Sequence, residues 1–166
     1  MRKRKRQLLR SSTFRAVLVL GAFLLIGCLG VRGDQLKFAV AVAARDKITV
    51  AKLLSGGKVD VNSQNGTAGP AIINASYLGD AEIVTLLLDN GANVNITDDE
   101  GSTALVSAIV GGHPRVVQLL LENGADVNTV IREGRDGNAM TALTFARNKN
   151  DTEIIKLVEL YAKPTQ

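Results

Sequence analysis

The sequence predicts a mostly α-helical solenoid of about four helix-turn-helix repeats, and three observations carry that prediction. The block Ala81 to Asn95 (AEIVTLLLDNGANVN) returns as Pro114 to Asn128 (PRVVQLLLENGADVN), displaced by 33 residues. Each copy holds an apolar stripe at helical spacing: Ile83, Val84, Leu86, Leu87 and Leu88, then Val116, Val117, Leu119, Leu120 and Leu121. Each stripe ends at Asp-Asn-Gly91 or Glu-Asn-Gly124, where a glycine suits the positive φ that closes a helix. One such unit cannot bury its own apolar face, so the copies must stack.

In chain order, residues 1–27 read as an export signal, 28–34 as a tether, 35–162 as the repeat domain and 163–166 as a tail. The first segment has a basic start (Arg2, Lys3, Arg4, Lys5, Arg6, Arg10, Arg15) and then the eleven-residue apolar run Ala16 to Ile26. The uncharged stretch ends at Val31 after sixteen residues, short of the roughly 20 that cross a bilayer comfortably. Leu25-Ile26-Gly27-Cys28, which contains the single cysteine of the chain, resembles the lipobox of bacterial lipoproteins. That resemblance implies lipidation of Cys28, cleavage before it, and an acyl anchor strong enough to hold the protein on a membrane. Leu29 stands after the cysteine where a sorting Asp would otherwise be, which resembles an outer-membrane destination.

The charge balance follows from this division. The whole chain has 20 basic and 16 acidic residues, but seven of the basic ones precede Cys28. The remainder has 13 against 16, a net charge of −3, so nucleic acid is not expected as a partner. A single Cys excludes an intrachain disulfide framework and a Cys-built zinc site. At 166 residues and 46% apolar, the chain suits one domain with a real core.

Within the repeat domain the period extends both ways. Asn62 lies 33 before Asn95, and Ile48 to Asn62 is a cruder copy with one extra residue near Gly56-Gly57. Thr103-Ala-Leu105 returns as Thr141-Ala-Leu143, with five residues inserted around Val130 to Arg135. Ala75, Ala108 and Ala146 are small residues in the first helix of successive copies and allow close packing. Pro114 suits a first helical turn, and Asn150 with Glu153 reads as a capping box. Gly101 to Leu105 (GSTAL) and the L-L-L-x-x-G-A-x-V-N endings are similar to the ankyrin repeat family over about Gln35 to Ala162. The His usually following that Leu is replaced by Val106 and Thr144, and Gly69-Pro-Ala-Ile72 replaces the usual T-P-L segment. The resemblance implies an ankyrin-repeat solenoid whose helix pairs are joined by hairpin loops.

Catalytic patterns are poor. His113 is the single histidine and reads as part of a helix start, with no Gly-x-Ser-x-Gly elbow elsewhere. Gly56-Gly57-Lys58 lacks the rest of a phosphate loop and reads as a turn. Asp98, Asp99 and Glu100 do not have the spacing of a calcium loop. No enzyme activity, cofactor or metal is expected.

The family resemblance instead implies a protein partner, held by the hairpin tips and the concave row of first helices. Projected onto this chain, the tips are Asn65 to Thr67, Asp98 to Glu100 and Asp136 to Asn138. The helix positions are Asn74, Tyr77, Leu78, Ser107, Val110, Phe145, Asn148 and Lys149. Tyr77, Leu78, Val110 and Phe145 are then large apolar groups facing solvent, or, for Tyr77 and Phe145, groups turned into the core. Arg132 and Arg135, in the inserted loop, are further contact candidates.

The architecture, lipobox plus ankyrin repeats, resembles immunity lipoproteins that neutralise phospholipase effectors of type VI secretion. It implies a monomeric periplasmic protein, anchored through Cys28, that occludes a secreted phospholipase. A scaffold or chaperone-like factor for a resident envelope enzyme is the alternative. A third reading leaves the segment to Val31 uncleaved, as in a signal-anchored or secretory protein, with Asn65, Asn74, Asn95 and Asn150 as glycosylation acceptors.

Overall fold

The computed structural model describes residues 33–64, 69–132 and 139–162. Cys28, the segment before it that reads as an export signal, the tips Asn65 to Thr67 and Asp136 to Asn138, Arg135 and residues 163–166 lie outside them. The elements run α1 Gly33–Ala43, α2 Lys47–Ser55, α3 Ala71–Leu78, α4 Ala81–Asp89, α5 Ala104–Gly111 and α6 Pro114–Glu122. A short antiparallel pair follows, β1 Ile131–Arg132 with β2 Ala139–Met140, and then α7 Ala142–Lys149 and α8 Thr152–Ala162. Each first helix packs on the second helix of its own repeat and on the first helices of its neighbours, giving two layers.

Most of these helices have eight or nine residues, too few to persist alone in water, so their stability is tertiary. The core is continuous from Phe38 in α1 to Val158 in α8. Ala41, Ala75, Ala108 and Ala146 occupy one layer and are all buried, letting the first helices approach closely. Ile83, Val84 and Leu87, and then Val116, Val117, Leu120 and Leu121, are the buried members of the two stripes. Burial of each such side chain stabilises by roughly 1.5–3 kcal/mol.

The turn between the two helices of a repeat needs a left-handed residue, at Arg45, Gly79, Gly112 and Asn150 in succession. Glycine adopts that conformation freely, whereas Arg45 and Asn150 pay a steric penalty. The next residue begins the second helix. Asp46 and Asp80 accept from the amides of Thr49 and Ile83 at 3.1 Å, and Asp151 accepts from Ile154 at the same distance. The capping box expected at Asn150 and Glu153 is therefore not formed there: Asn150 ends α7, and Asp151 caps α8. The reciprocal arrangement instead sits at the start of α7, where Thr141 N–H donates to Thr144 Oγ1 at 2.7 Å.

After the second helix, Gly91 and Gly124 share a φ of +82°, as the sequence requires, and Gly57 takes the same role in the first repeat at +61°. Between these loops runs a ladder of asparagines. Asn62 Nδ2 donates to Gly91 O at 2.9 Å while its Oδ1 accepts from Asn93 N–H at 2.7 Å. Asn95 repeats both bonds 33 residues later, to Gly124 O at 3.2 Å and from Asp126 N–H at 2.8 Å. In the first repeat Gln35 replaces the missing earlier asparagine and clamps Asp60 O and N–H, both at 2.9 Å. The clamp closes on one residue because the extra residue of this copy lies between Gly57 and Asp60.

Candidate protein-binding surface

Tyr77, Val110 and Asn148 occupy one structural position, in the last turn of α3, α5 and α7. The stacking of the first helices therefore places them in a row across the domain. Tyr77 is 45% exposed, Val110 half-buried and Asn148 exposed. Leu78 is half-buried and Lys149 exposed, one residue further along their helices. The row thus offers one aromatic ring flanked by apolar and polar groups, with a cation at the fourth-repeat end.

The backbone under Tyr77 is fixed from both sides. His113 Nε2 lies 3.0 Å from Tyr77 O, and since a carbonyl accepts, the imidazole donates. Its ring fills the space beside Gly79 and Gly111, where any Cβ would fall within 2.5 Å of it. The Arg45 guanidinium donates to Leu78 O from the preceding repeat. His113 is therefore occupied in joining repeats, in keeping with its reading as a structural residue.

The other projected positions lie deeper. Asn74 is half-buried, with its Nδ2 3.5 Å from Pro70 O, and Ser107 is buried. Phe145, the same position in the fourth repeat, is 8% exposed, so of its two readings the structure has the inward one. This position is half-buried in repeat 2 and buried in repeats 3 and 4, where neighbouring first helices pack on one another. Ser76, two residues on from Asn74, is fully buried, and its hydroxyl has no hydrogen-bond partner. The same layer holds Val42 in α1 and Ile109 in α5, which explains the absence of a polar neighbour.

The Asp98 to Glu100 tip is a turn organised by its own first residue. Asp98 Oδ1 accepts from Glu100 N–H at 3.0 Å and from Ser102 N–H at 2.8 Å, and Thr97 pairs with Thr103. Asp99 and Glu100 are exposed. Arg132 belongs to β1 of the inserted hairpin. Among the described residues no group of three or more His, Cys, Asp or Glu stands together as a metal site.

Sequence reasoning passed over three large apolar residues, Ile48 at the start of α2, which is 81% exposed, and Leu160 and Tyr161 in α8. The 33-residue frame, extended to Ile48, aligns it with Glu82 and Arg115, two surface charges, and this was the available signal.

A two-layer stack of helix pairs, with a fixed backbone and varied side chains along one row, defines a helical repeat scaffold. Residues 38–131 match the family described as ankyrin repeats (3 copies), and residues 105–158 the one described as ankyrin repeats (many copies). The chain belongs to the ankyrin repeat family, whose members are generally non-enzymatic scaffolds, and the repeats form a protein–protein interaction module. No curated protein matches the chain.

Proposed function

We propose that this protein is a non-enzymatic lipoprotein of the bacterial periplasm, anchored through Cys28, that grips one protein partner along the Tyr77–Val110–Asn148 row. The observation that carries the reading is the exposure of Tyr77 on a backbone pinned by His113 and Arg45. An aromatic group held in place loses little freedom on binding, and such residues dominate interface energies. Asp98 to Glu100, Arg132 and Arg135 are secondary contacts. Its specific role is that of an immunity protein that occludes a type VI secreted phospholipase, supported by the lipobox resemblance and the repeat architecture together.

The test is periplasmic co-expression with a phospholipase encoded beside this gene, together with affinity capture from the envelope. Protection from the lipase, lost with Tyr77→Ala, establishes the immunity role. Capture of a resident envelope enzyme without any protection replaces that role by a scaffold. A Tyr77→Ala variant that binds its partner as the parent does removes the row as the recognition surface.

A further inference from the structure

The residues just before the left-handed turns form two adjacent rows across the stacked first helices. Two residues before each turn stand Ala43, Tyr77, Val110 and Asn148, and one before it Ala44, Leu78, Gly111 and Lys149. Over the first three repeats this band has no charged side chain, and Ala43, Ala44 and Tyr77 are exposed. Gly111 leaves it bare at one point, since any Cβ there would strike the His113 ring and Tyr77 O. In the fourth repeat the band turns polar and ends on Lys149, which is exposed and makes no ion pair among the described residues. The nearest acid in sequence, Asp151, is engaged with the amides of Glu153 and Ile154.

The backbone beneath the band decides what can lie on it. The C-terminal turn of a helix has no free N–H, only its last four carbonyls. In α3 all four are taken. Ala75 O accepts from Asp80 N–H and Ser76 O from Gly79 N–H, both at 3.1 Å, while Tyr77 O accepts from His113 and Leu78 O from Arg45. An extended strand lying here would find no backbone donors, and its own polar groups would be left unpaired against Tyr77 and Val110. A helix satisfies its backbone internally and offers only side chains. Packed helices lie about 8–10 Å apart and seven residues of helix rise about 10.5 Å, so side chains seven apart on a crossing helix meet successive repeats.

We propose that the partner held on this surface presents an amphipathic helix that crosses the first helices, with large apolar side chains at seven-residue spacing against repeats 1 to 3 and a carboxylate that reaches Lys149. Ala43 and Ala44 leave room in the first repeat for the bulkiest of those side chains, and Tyr77 and Leu78 supply the apolar contact of the second. The proposal rests on the row as the recognition surface and adds the class of its occupant.

The full chain is immobilised and used to select from two displayed peptide libraries of about 20 residues, the length of helix that spans four stacked helices. One library has a helical alanine-rich frame varied on one face, and the other carries proline at intervals that forbid a helix. Selected helical sequences with large apolar residues seven apart and Asp or Glu at one end support the proposal, when Tyr77→Ala weakens them on the order of thirtyfold and Lys149→Glu on the order of fivefold. Replacing the peptide's acid by Lys then restores binding to the Lys149→Glu protein, which a structural role for Lys149 does not predict. Both variants keep the parent's circular dichroism and thermal midpoint. Selection from the proline library, or helical sequences without the charge swap, overturns the helix alone provided Tyr77→Ala still weakens binding. Selection from neither library overturns the helix as well. Selected peptides indifferent to Tyr77→Ala remove the row as a recognition surface, and the proposal falls with it.

Discussion

The second and third repeats differ from the first and fourth in how each solves the same backbone problem. In the middle pair, Gly79 and Gly112 supply the left-handed turn between helices, and Gly91 and Gly124 the turn after them. At the ends the first of these turns falls to Arg45 and Asn150, and in the fourth repeat α8 runs on to Ala162 with no glycine turn. The middle repeats are covered on both sides and bury nearly all of α5. The outer repeats expose Ile48, Leu160 and Tyr161. Where two neighbours constrain a unit, the ideal residue is present at each strained position. Where only one does, a residue serving a second purpose is tolerated, as with the Arg45 bond to Leu78.

The largest test of that difference is core truncation. Leu120→Ala, fully buried in α6, is expected to cost about 2–5 kcal/mol, and Leu87→Ala the same. Leu53→Ala, the half-buried equivalent in α2, costs less, and urea denaturation of the three variants ranks them. Similar losses at Leu53 and Leu120 would erase the distinction between end and middle. Gly79→Ala forces both a left-handed alanine and a collision with the His113 ring, and is expected to cost about 2–3 kcal/mol. Its thermal midpoint falls well below that of Gly57→Ala, where a Cβ meets nothing within 4 Å.

Next in size is the ladder. Asn95→Ala removes both bonds from the third-repeat loop and is expected to cost about 1–2 kcal/mol, read by denaturation. Two substitutions work in the opposite direction. Asn150→Gly relieves the left-handed strain at the fourth repeat, and Ser76→Ala removes a buried unpaired hydroxyl, each gaining about 1 kcal/mol or less. A loss of stability in the same assay would mean that Asn150 is not strained, or that the Ser76 hydroxyl is not a burden.

The smallest effect is one of pH. The hydrogen bond from Lys47, and then its charge, hold the Glu82 carboxyl below its ordinary value, and Asp46 is lowered chiefly by the hydroxyl of Thr49. A depressed carboxylate favours the folded state above the ordinary range and loses that contribution as the pH falls through its own lower value. The Lys47–Glu82 link between repeats 1 and 2 therefore weakens slightly in acid, while the asparagine rungs, Asn62 at the same junction and Asn95 at the next, do not titrate and hold. NMR titration of the Thr49 and Asn95 amides separates the two.

The regular centre of the fold was legible in the sequence because its 33-residue frame, apolar stripes and glycines all point the same way. The ends were less so. Asn150 and Glu153 have the spacing of a capping box, yet Asn150 stands at the position of Gly112 and takes the left-handed turn, which passes capping to Asp151. Arg45 shows nothing in its residue type to predict a left-handed conformation; the packing of α1 on α2 imposes it. Of the row proposed for recognition, Tyr77 stood out by its ring in a solvent-facing register. Phe145 had the same signal, but its burial is decided by the helix packed over it, which spacing alone does not reveal.

The asparagine rungs also set the grammar by which such a domain changes length. Each rung donates to one loop and accepts from the same loop, so a unit brings one complete joint with it. Duplicating or deleting a whole unit between Asn62 and Asn95 leaves every remaining joint matched. A gain or loss of a few residues inside a loop shifts donor against acceptor and is accommodated only by a residue with longer reach, as Gln35 does at Asp60. Inheritance of this domain is therefore by whole units in the centre, with irregular lengths confined to its outermost repeats.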